Sequence, residues 1–262
     1  MKITPKNPVE IAKMRAAGRV AALTLDAVTP LVKVGVSTLE LNDFCERFMR
    51  EHGAVPATLG YKGYPAASCI SRNHVVCHGI PNAEEILQDG DIVNIDVTAL
   101  LDGFHGDTSR MYGVGNVSAE ARALMATTYQ AMMAGIETIK SGNYLTAIGA
   151  AISQVAEPAG YSVVREYCGH GLGRKFHEDP QVLHYANQEF PSVRLRAGTT
   201  LTVEPMINAG TWRTRLHDDG WRVTTADGAL SAQYEHTVLV TDTGYELLTA
   251  SPAGYTGWPY GA

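Results

Sequence analysis

Apolar positions recur at helical spacing through Val9, Ile11, Met14, Ala17, Val20, Leu23 and Leu25, directly after Asn7-Pro8, and predict an amphipathic helix with proline in its first turn. Ser37 followed three residues later by Glu40 has the form of a capping box. It opens a second helix through Leu39, Leu41, Phe44 and Phe48 that stops at Gly53. Strand-like segments run from Val55 to Val114. A third helix is predicted from Ser118 through Ala121, Leu124, Tyr129, Met132 and Ile136 to near Gly142, and a fourth over residues 145–156, stopped by Pro158. From Tyr161 strands and loops return, and the Pro- and Gly-rich residues 251–262 read as an irregular tail.

The order helix pair, strands, helix pair, strands predicts one α/β domain over residues 1–250. Its two halves, about 8–114 and 118–248, follow one plan. Leu87-Gln88-Asp89-Gly90-Asp91-Ile92-Val93-Asn94-Ile95-Asp96 aligns with Leu195-Arg196-Ala197-Gly198-Thr199-Thr200-Leu201-Thr202-Val203-Glu204, 108 residues later. Gly35 and Gly53 likewise precede Gly142 and Gly160 by 107 residues. On this alignment Asp96 and Glu204 are equivalent carboxylates meeting across a pseudo-twofold axis. Acids at matching inner strand positions are costly unless a cation lies between them.

The composition narrows the class. With 262 residues, 45% hydrophobic and 18% charged, the chain has enough apolar material for a large core, which excludes disorder of its body. The balance of 21 basic against 27 acidic residues, net −6, offers no field attractive to phosphates, so no specific nucleic-acid binding is expected. Cys45, Cys69, Cys77 and Cys168 form no C-x-x-C pair and read as reduced thiols. The start carries no apolar signal stretch, and no run approaches the ~20 residues that span a bilayer. A soluble, cytoplasmic, monomeric protein without a membrane partner is expected.

Asp102-Gly103 between two apolar-rich runs is a two-residue hairpin signal, and opposed positions then sum to 205. Asp107 therefore faces Thr98, and Asp96 shares that face with Asn94 and Thr98, while Val93, Ile95 and Val97 occupy the other. Two clustered carboxylates hold a proton between them unless a cation neutralises both. Partners lie in the second half: His170 between glycines in Cys168-Gly169-His170-Gly171-Leu172-Gly173, Glu204 at a strand's end before Pro205, and Glu235 leading into Val238-Leu239-Val240 and so expected on a strand. Each alone has a bland reading as a turn or surface residue. Together, four carboxylates and an imidazole suit two divalent ions.

Asn94-Ile95-Asp96-Val97, Gly103-Phe104-His105-Gly106-Asp107-Thr108, Gly169-His170-Gly171-Leu172-Gly173, Glu204-Pro205-Met206 and Tyr234-Glu235-His236, with Val76-Cys77-His78-Gly79-Ile80-Pro81, closely resemble type I methionine aminopeptidases of the bacterial form. The resemblance spans about residues 8–248. It implies the pita-bread fold, helices around a curved antiparallel sheet with a dimetal site at the centre. It also implies removal of the initiator Met from nascent chains when the next residue is small. The implied metal ligands are Asp96, Asp107, His170, Glu204 and Glu235, with Asp107 and Glu235 bridging two ions (Co, Mn, Fe, Zn or Mg). Glu204 would be the general base, His177 would contact the scissile carbonyl, and His78 would stand near the amide nitrogen of the second residue.

The resemblance further implies a Met pocket of Tyr61, Tyr64, Cys69, Phe176 and Trp221. Thr58 stands where many bacterial relatives have Cys. A monovalent cation (Na or K) is implied near Asn73, Val75 and Ser231. The implied partners are N-termini of nascent polypeptides, with transient ribosome association. Two rivals share the fold: an X-Pro hydrolase, which usually carries an extra amino-terminal domain, and a non-catalytic binder of ribosomal RNA, which would be expected to lose ligands or gain basic segments.

Overall fold

A computed structural model describes residues 3–191 and 193–260. The first part holds helices α1 (Pro8–Val28) and α2 (Thr38–Glu51) and strands β1 (Val55–Pro56), β2 (Cys69–Arg72), β3 (Val75–Cys77), β4 (Ile92–Leu101) and β5 (Phe104–Gly113). The second holds α3 (Ala119–Glu137), α4 (Thr146–Ala156), β6 (Ser162–Val163), β7 (Gly169–Gly171), β8 (Glu178–Val182), β9 (Thr200–Val203), β10 (Met206–Asn208), β11 (Thr214–Leu216), β12 (Val223–Thr225), β13 (Ser231–Gln233), β14 (His236–Val240) and β15 (Tyr245–Leu247). Capping boxes start both early helices, Asn7 with Glu10 at α1 and Ser37 with Glu40 at α2. The third helix stops at Glu137, short of the expected end near Gly142. There the Thr138 hydroxyl and N–H both donate to Gly135 O, at 2.7 and 3.2 Å, tightening and closing the last turn.

The β4–β5 hairpin has the expected register. Asp102 and Gly103 take φ of +49° and +78°, as a primed two-residue turn requires, and Thr98 pairs with Asp107. Alternation then sorts the side chains. Val93, Ile95, Val97 and Ala99 pack with Leu25, Leu41, Cys45 and Met49 of the first helix pair, so Asn94, Asp96 and Thr98 must face away from it. Leu201 and Val203 pack likewise with Leu124, Met132, Ile148 and Ile152 of the second pair, which turns Thr200 and Thr202 the other way.

Backbone hydrogen bonds recur at the same spacing. Gly35 N–H donates to Leu87 O and Gly142 N–H to Leu195 O, each at 2.9 Å. Leu87 N–H donates to Val36 O and Leu195 N–H to Asn143 O, each at 2.8 Å. The two parts meet where β5 runs beside residues 233–237. Thr108 Oγ1 donates to Glu235 O (2.7 Å), Glu235 N–H to Ser109 O (3.1 Å), Asp107 N–H to Thr237 Oγ1 (3.1 Å) and Asn94 Nδ2 to Gln233 O (2.7 Å). Glu235, expected on a strand, instead makes a single bridge to Ser109 between β13 and β14.

Helix α1 lies hard against β5. A Cβ at Gly106 would stand 2.3 Å from Gly18 N and 2.4 Å from Ala17 C, both backbone atoms that cannot yield without moving the helix. Gly106→Ala is therefore expected to cost about 3 kcal/mol, read as a lower urea midpoint at unchanged m-value. Residues 251–260 hold no helix or strand, yet they are tied down. Ser251 Oγ donates to Asp26 Oδ1 (2.7 Å), Trp258 N–H to the Tyr234 hydroxyl (3.1 Å) and Tyr260 OH to Met111 O (2.6 Å). The tail's last residues, Gly261 and Ala262, lie outside the described residues. All four cysteines are free, and among the described residues no helix is long and apolar enough to cross a membrane.

Candidate active site

Strands β4, β5 and β7, the end of β9 and the Glu235 bridge converge on one cavity of about 310 Å³. Asp96, Asp107, His170, Glu204 and Glu235 line it together with His78, His177, Tyr61, Tyr64, Cys69, Phe176 and Trp221. Every residue singled out in the sequence for a divalent metal, for catalysis or for the Met pocket thus reaches a single space.

His170 sits on β7, which threads closely between β8 and β9. A Cβ at Gly169 would lie 2.5 Å from Thr202 O, and one at Gly171 2.2 Å from Asp179 O. The flanking glycines therefore serve backbone packing around the histidine. His170 Nδ1 stands 2.9 Å from Gly171 O; a carbonyl only accepts, so Nδ1 carries the proton and Nε2 presents a lone pair. That Nε2 is 3.6 Å from both Asp107 Oδ2 and Glu204 Oε1. Asp107, His170 and Glu235 each offer one ligand atom within 4.8 Å of the others.

The remaining oxygens are held or orphaned. Thr98 Oγ1 donates to Asp107 Oδ1 (2.7 Å), Thr202 Oγ1 to Glu204 Oε1 (2.6 Å) and Gln233 Nε2 to Glu204 Oε2 (3.4 Å). Asp96 Oδ1 is buried with no hydrogen-bond partner among the described residues. Burial, followed by repulsion from neighbouring acids, holds Asp96 and Glu235 well above the carboxylate range. Burial pushes Asp107 up to about 7 and Glu204 up to about 8, against the hydroxyls of Thr98 and Thr202. Burial pushes His170 down to about 4, keeping the imidazole neutral. An orphaned carboxylate oxygen among crowded acids, beside a neutral imidazole with a free lone pair, is a donor set that fits divalent cations.

The cavity's other walls are apolar and aromatic. Tyr64 meets Trp221 edge-on (5.1 Å between ring centroids), and its hydroxyl lies 2.9 Å from Gly79 O. Thr58 lines the cavity with its hydroxyl donated to Ala66 O at 3.1 Å, so it adds no unpaired polar group. Cys69 is buried, and burial followed by Asp96 holds its thiol protonated. His78 has a φ of +55°, uncommon for a non-glycine residue, and its ring meets Trp221 edge-on at 6.0 Å.

Lys62, Glu166, Tyr167, Cys168 and Met206 also line the cavity and were not singled out from sequence. Cys168 and Met206 lie inside strings quoted above, Tyr167 directly beside one, and Lys62 next to Tyr61 of the implied Met pocket, whereas Glu166 has no such marker. His184, whose Nε2 accepts the Glu204 N–H at 3.1 Å, has no such neighbour to betray it. Asn73, Val75 and Ser231 do not line the cavity. Asn73 O accepts the Ser231 N–H at 2.9 Å, and Val75 pairs with Thr224. Ser231 faces Asn208 across β10 and β13, and Ser231 Oγ and Asn208 Oδ1 are both buried without a partner among the described residues.

Metallopeptidase family M24 matches residues 12–242. The methionine aminopeptidase of Escherichia coli K12 is 54% identical over 250 residues, covering 95% of this chain and 94% of that one. The chain belongs to the methionine aminopeptidases of metallopeptidase family M24. The crystal structure of the methionine aminopeptidase from Rickettsia prowazekii matches this M24 chain at a TM-score of 0.92 and 53% identity, over 95% of the chain and all of that structure, so the fold is the expected pita-bread. An Xaa-Pro dipeptidase from Bacillus anthracis shares the fold alone, at a TM-score of 0.76 and 24% identity, and the M24 chain spans only 62% of it.

Proposed function

We propose that this M24 enzyme removes the N-terminal methionine of nascent polypeptides whose second residue is small, using two divalent ions. The observation that carries the reading is a cavity walled by aromatic rings and a thiol that ends on buried, clustered acids. At about 310 Å³ it is at the small end of ligand pockets (roughly 300–1,000 Å³) and suits one flexible side chain with its amide. Asp96, Asp107, His170, Glu204 and Glu235 would hold the ions. When bound, such ions acidify a water and polarise the scissile carbonyl.

The chain's own groups do the rest. Glu204, oriented by Thr202 and Gln233, takes the proton of the attacking water and passes it to the leaving amine. His177 donates to the carbonyl oxygen as charge develops there. His78 stands by the amide nitrogen of the second residue, and crowding of that residue's side chain against the site limits its size. The repeated hydrogen bonds 107 or 108 residues apart support two halves on one plan, with Asp96 and Glu204 as equivalents. The paired orphan oxygens of Ser231 and Asn208 support a monovalent cation, Na or K, beside Asn73 and Val75. Cytoplasmic action as a monomer, with transient ribosome contact, completes the proposal.

Peptide hydrolysis tests it. Met-Ala-Ser is expected to be cleaved at least ~100-fold faster than Met-Leu-Ser or Ala-Pro peptides, with all cleavage lost on chelation. Preference for Ala-Pro, or undiminished cleavage in chelator, would overturn it.

A further inference from the structure

An apolar pocket wall at position 61 needs only an aromatic ring, so the hydroxyl of Tyr61 requires a separate account. It lies 2.9 Å from His177 Nδ1, joining segments 116 residues apart across the cavity mouth. The two rings are close to parallel, with centroids 5.2 Å apart and planes 20° apart. Phe176 packs against both, at 4.8 and 4.4 Å. Tyr61 is presented by a tight turn with left-handed backbone at Gly60 (+81°), Lys62 (+47°) and Gly63 (+89°). At Lys62 that conformation is costly for a side chain, so the turn holds a geometry that local preference does not supply.

The chemistry of this contact decides a proton's place. The His177 ring reaches solvent at the rim, with Nδ1 turned to the Tyr61 hydroxyl. A neutral imidazole has one N–H and one lone pair. The phenol is the better donor and the bare ring nitrogen the better acceptor, so Tyr61 donates to Nδ1 and the ring's proton sits on Nε2. An Nε2–H can stabilise a carbonyl oxygen gaining negative charge; an Nε2 lone pair would repel it.

We propose that Tyr61 is a positioning residue for the reaction: its hydroxyl locks His177 in the Nε2–H tautomer and so makes that histidine a donor to the scissile carbonyl. This rests on the role given above to His177. Tyr61→Phe keeps the ring and the pocket and removes only the lock. In the zinc-loaded enzyme, nitrogen-15 spectra of histidine are expected to show His177 as a single Nε2–H tautomer, becoming a mixture in Tyr61→Phe. On Met-Ala-Ser, Tyr61→Phe should lower kcat about three- to tenfold with KM little changed. His177→Ala should lower kcat on the order of 10²-fold. The double variant should be no worse than His177→Ala, because the hydroxyl acts only through that ring. An unchanged His177 tautomer in Tyr61→Phe, or losses that multiply in the double variant, would overturn the lock while leaving the His177 role intact. Full kcat in His177→Ala would overturn that role and the lock together.

Discussion

Asp107→Asn is expected to lose bound divalent metal and turnover together, with kcat/KM on Met-Ala-Ser falling on the order of 10³-fold, equivalent to about 4 kcal/mol of transition-state stabilisation. The reason is the placement of its two oxygens. Oδ1 is committed to the Thr98 hydroxyl at 2.7 Å, while Oδ2 faces His170 Nε2 at 3.6 Å, inside the cluster shared with Glu235. An amide at that position has no charge and puts either an oxygen or an N–H₂ toward neighbours that need a cation. The fold should survive, because the Thr98 hydroxyl can still donate to the amide oxygen. Removing one of the clustered acids also relieves repulsion, so metal-free Asp107→Asn should melt no lower than the metal-free parent. Metal content by elemental analysis, steady-state kinetics and melting curves read the three parts separately. A variant with normal metal content and normal turnover would contradict the metal-holding role.

The central hairpin was readable because two local rules decide it: Asp102-Gly103 admits the left-handed backbone of the turn, and a period of two assigns the faces. Those rules place Asp96 and Asp107 on one face without any tertiary information, and the structure has them there. His170, Glu204 and Glu235 come from the other half of the chain, and no local rule brings them to the hairpin. The resemblance of their surrounding strings to a family did so. What stayed hidden depends on distant backbone. His184 reaches the Glu204 N–H from 20 residues away, and the Tyr61 hydroxyl finds His177 across 116. The glycines beside His170 were legible as a sign of close approach, but not what approaches, which proves to be Thr202 O and Asp179 O. The end of the third helix was missed for a local reason: the side chain of Thr138 turns back on Gly135 before the apolar pattern ends.

Metal-free enzyme should lose stability as pH rises from about 4 to about 8 and recover it when a divalent ion is added, with the larger recovery at the higher pH. In the unfolded chain these acids titrate near 4. In the folded, metal-free protein burial raises them, Asp107 to about 7 and Glu204 to about 8, with Asp96 and Glu235 raised as well. Between those limits the folded state binds more protons than the unfolded state, so unfolding becomes easier with each step up in pH. The contribution is fully present below about pH 4, and for Asp107 and Glu204 it is lost as pH passes through their folded values. A divalent ion takes the place of the protons and expels them, which couples its binding to proton release. Calorimetric melting in chelator at pH 6 and pH 8 should give a Tm lower at pH 8 by on the order of 5 °C, with Mn²⁺ raising Tm more at pH 8 than at pH 6. Titration of Mn²⁺ in two buffers of different ionisation enthalpy should register proton uptake by the buffer at pH 6. A Tm in chelator that is flat or rising from pH 6 to pH 8, or Mn²⁺ binding without proton release, would mean that this cluster is not a set of protonated acids waiting for a cation.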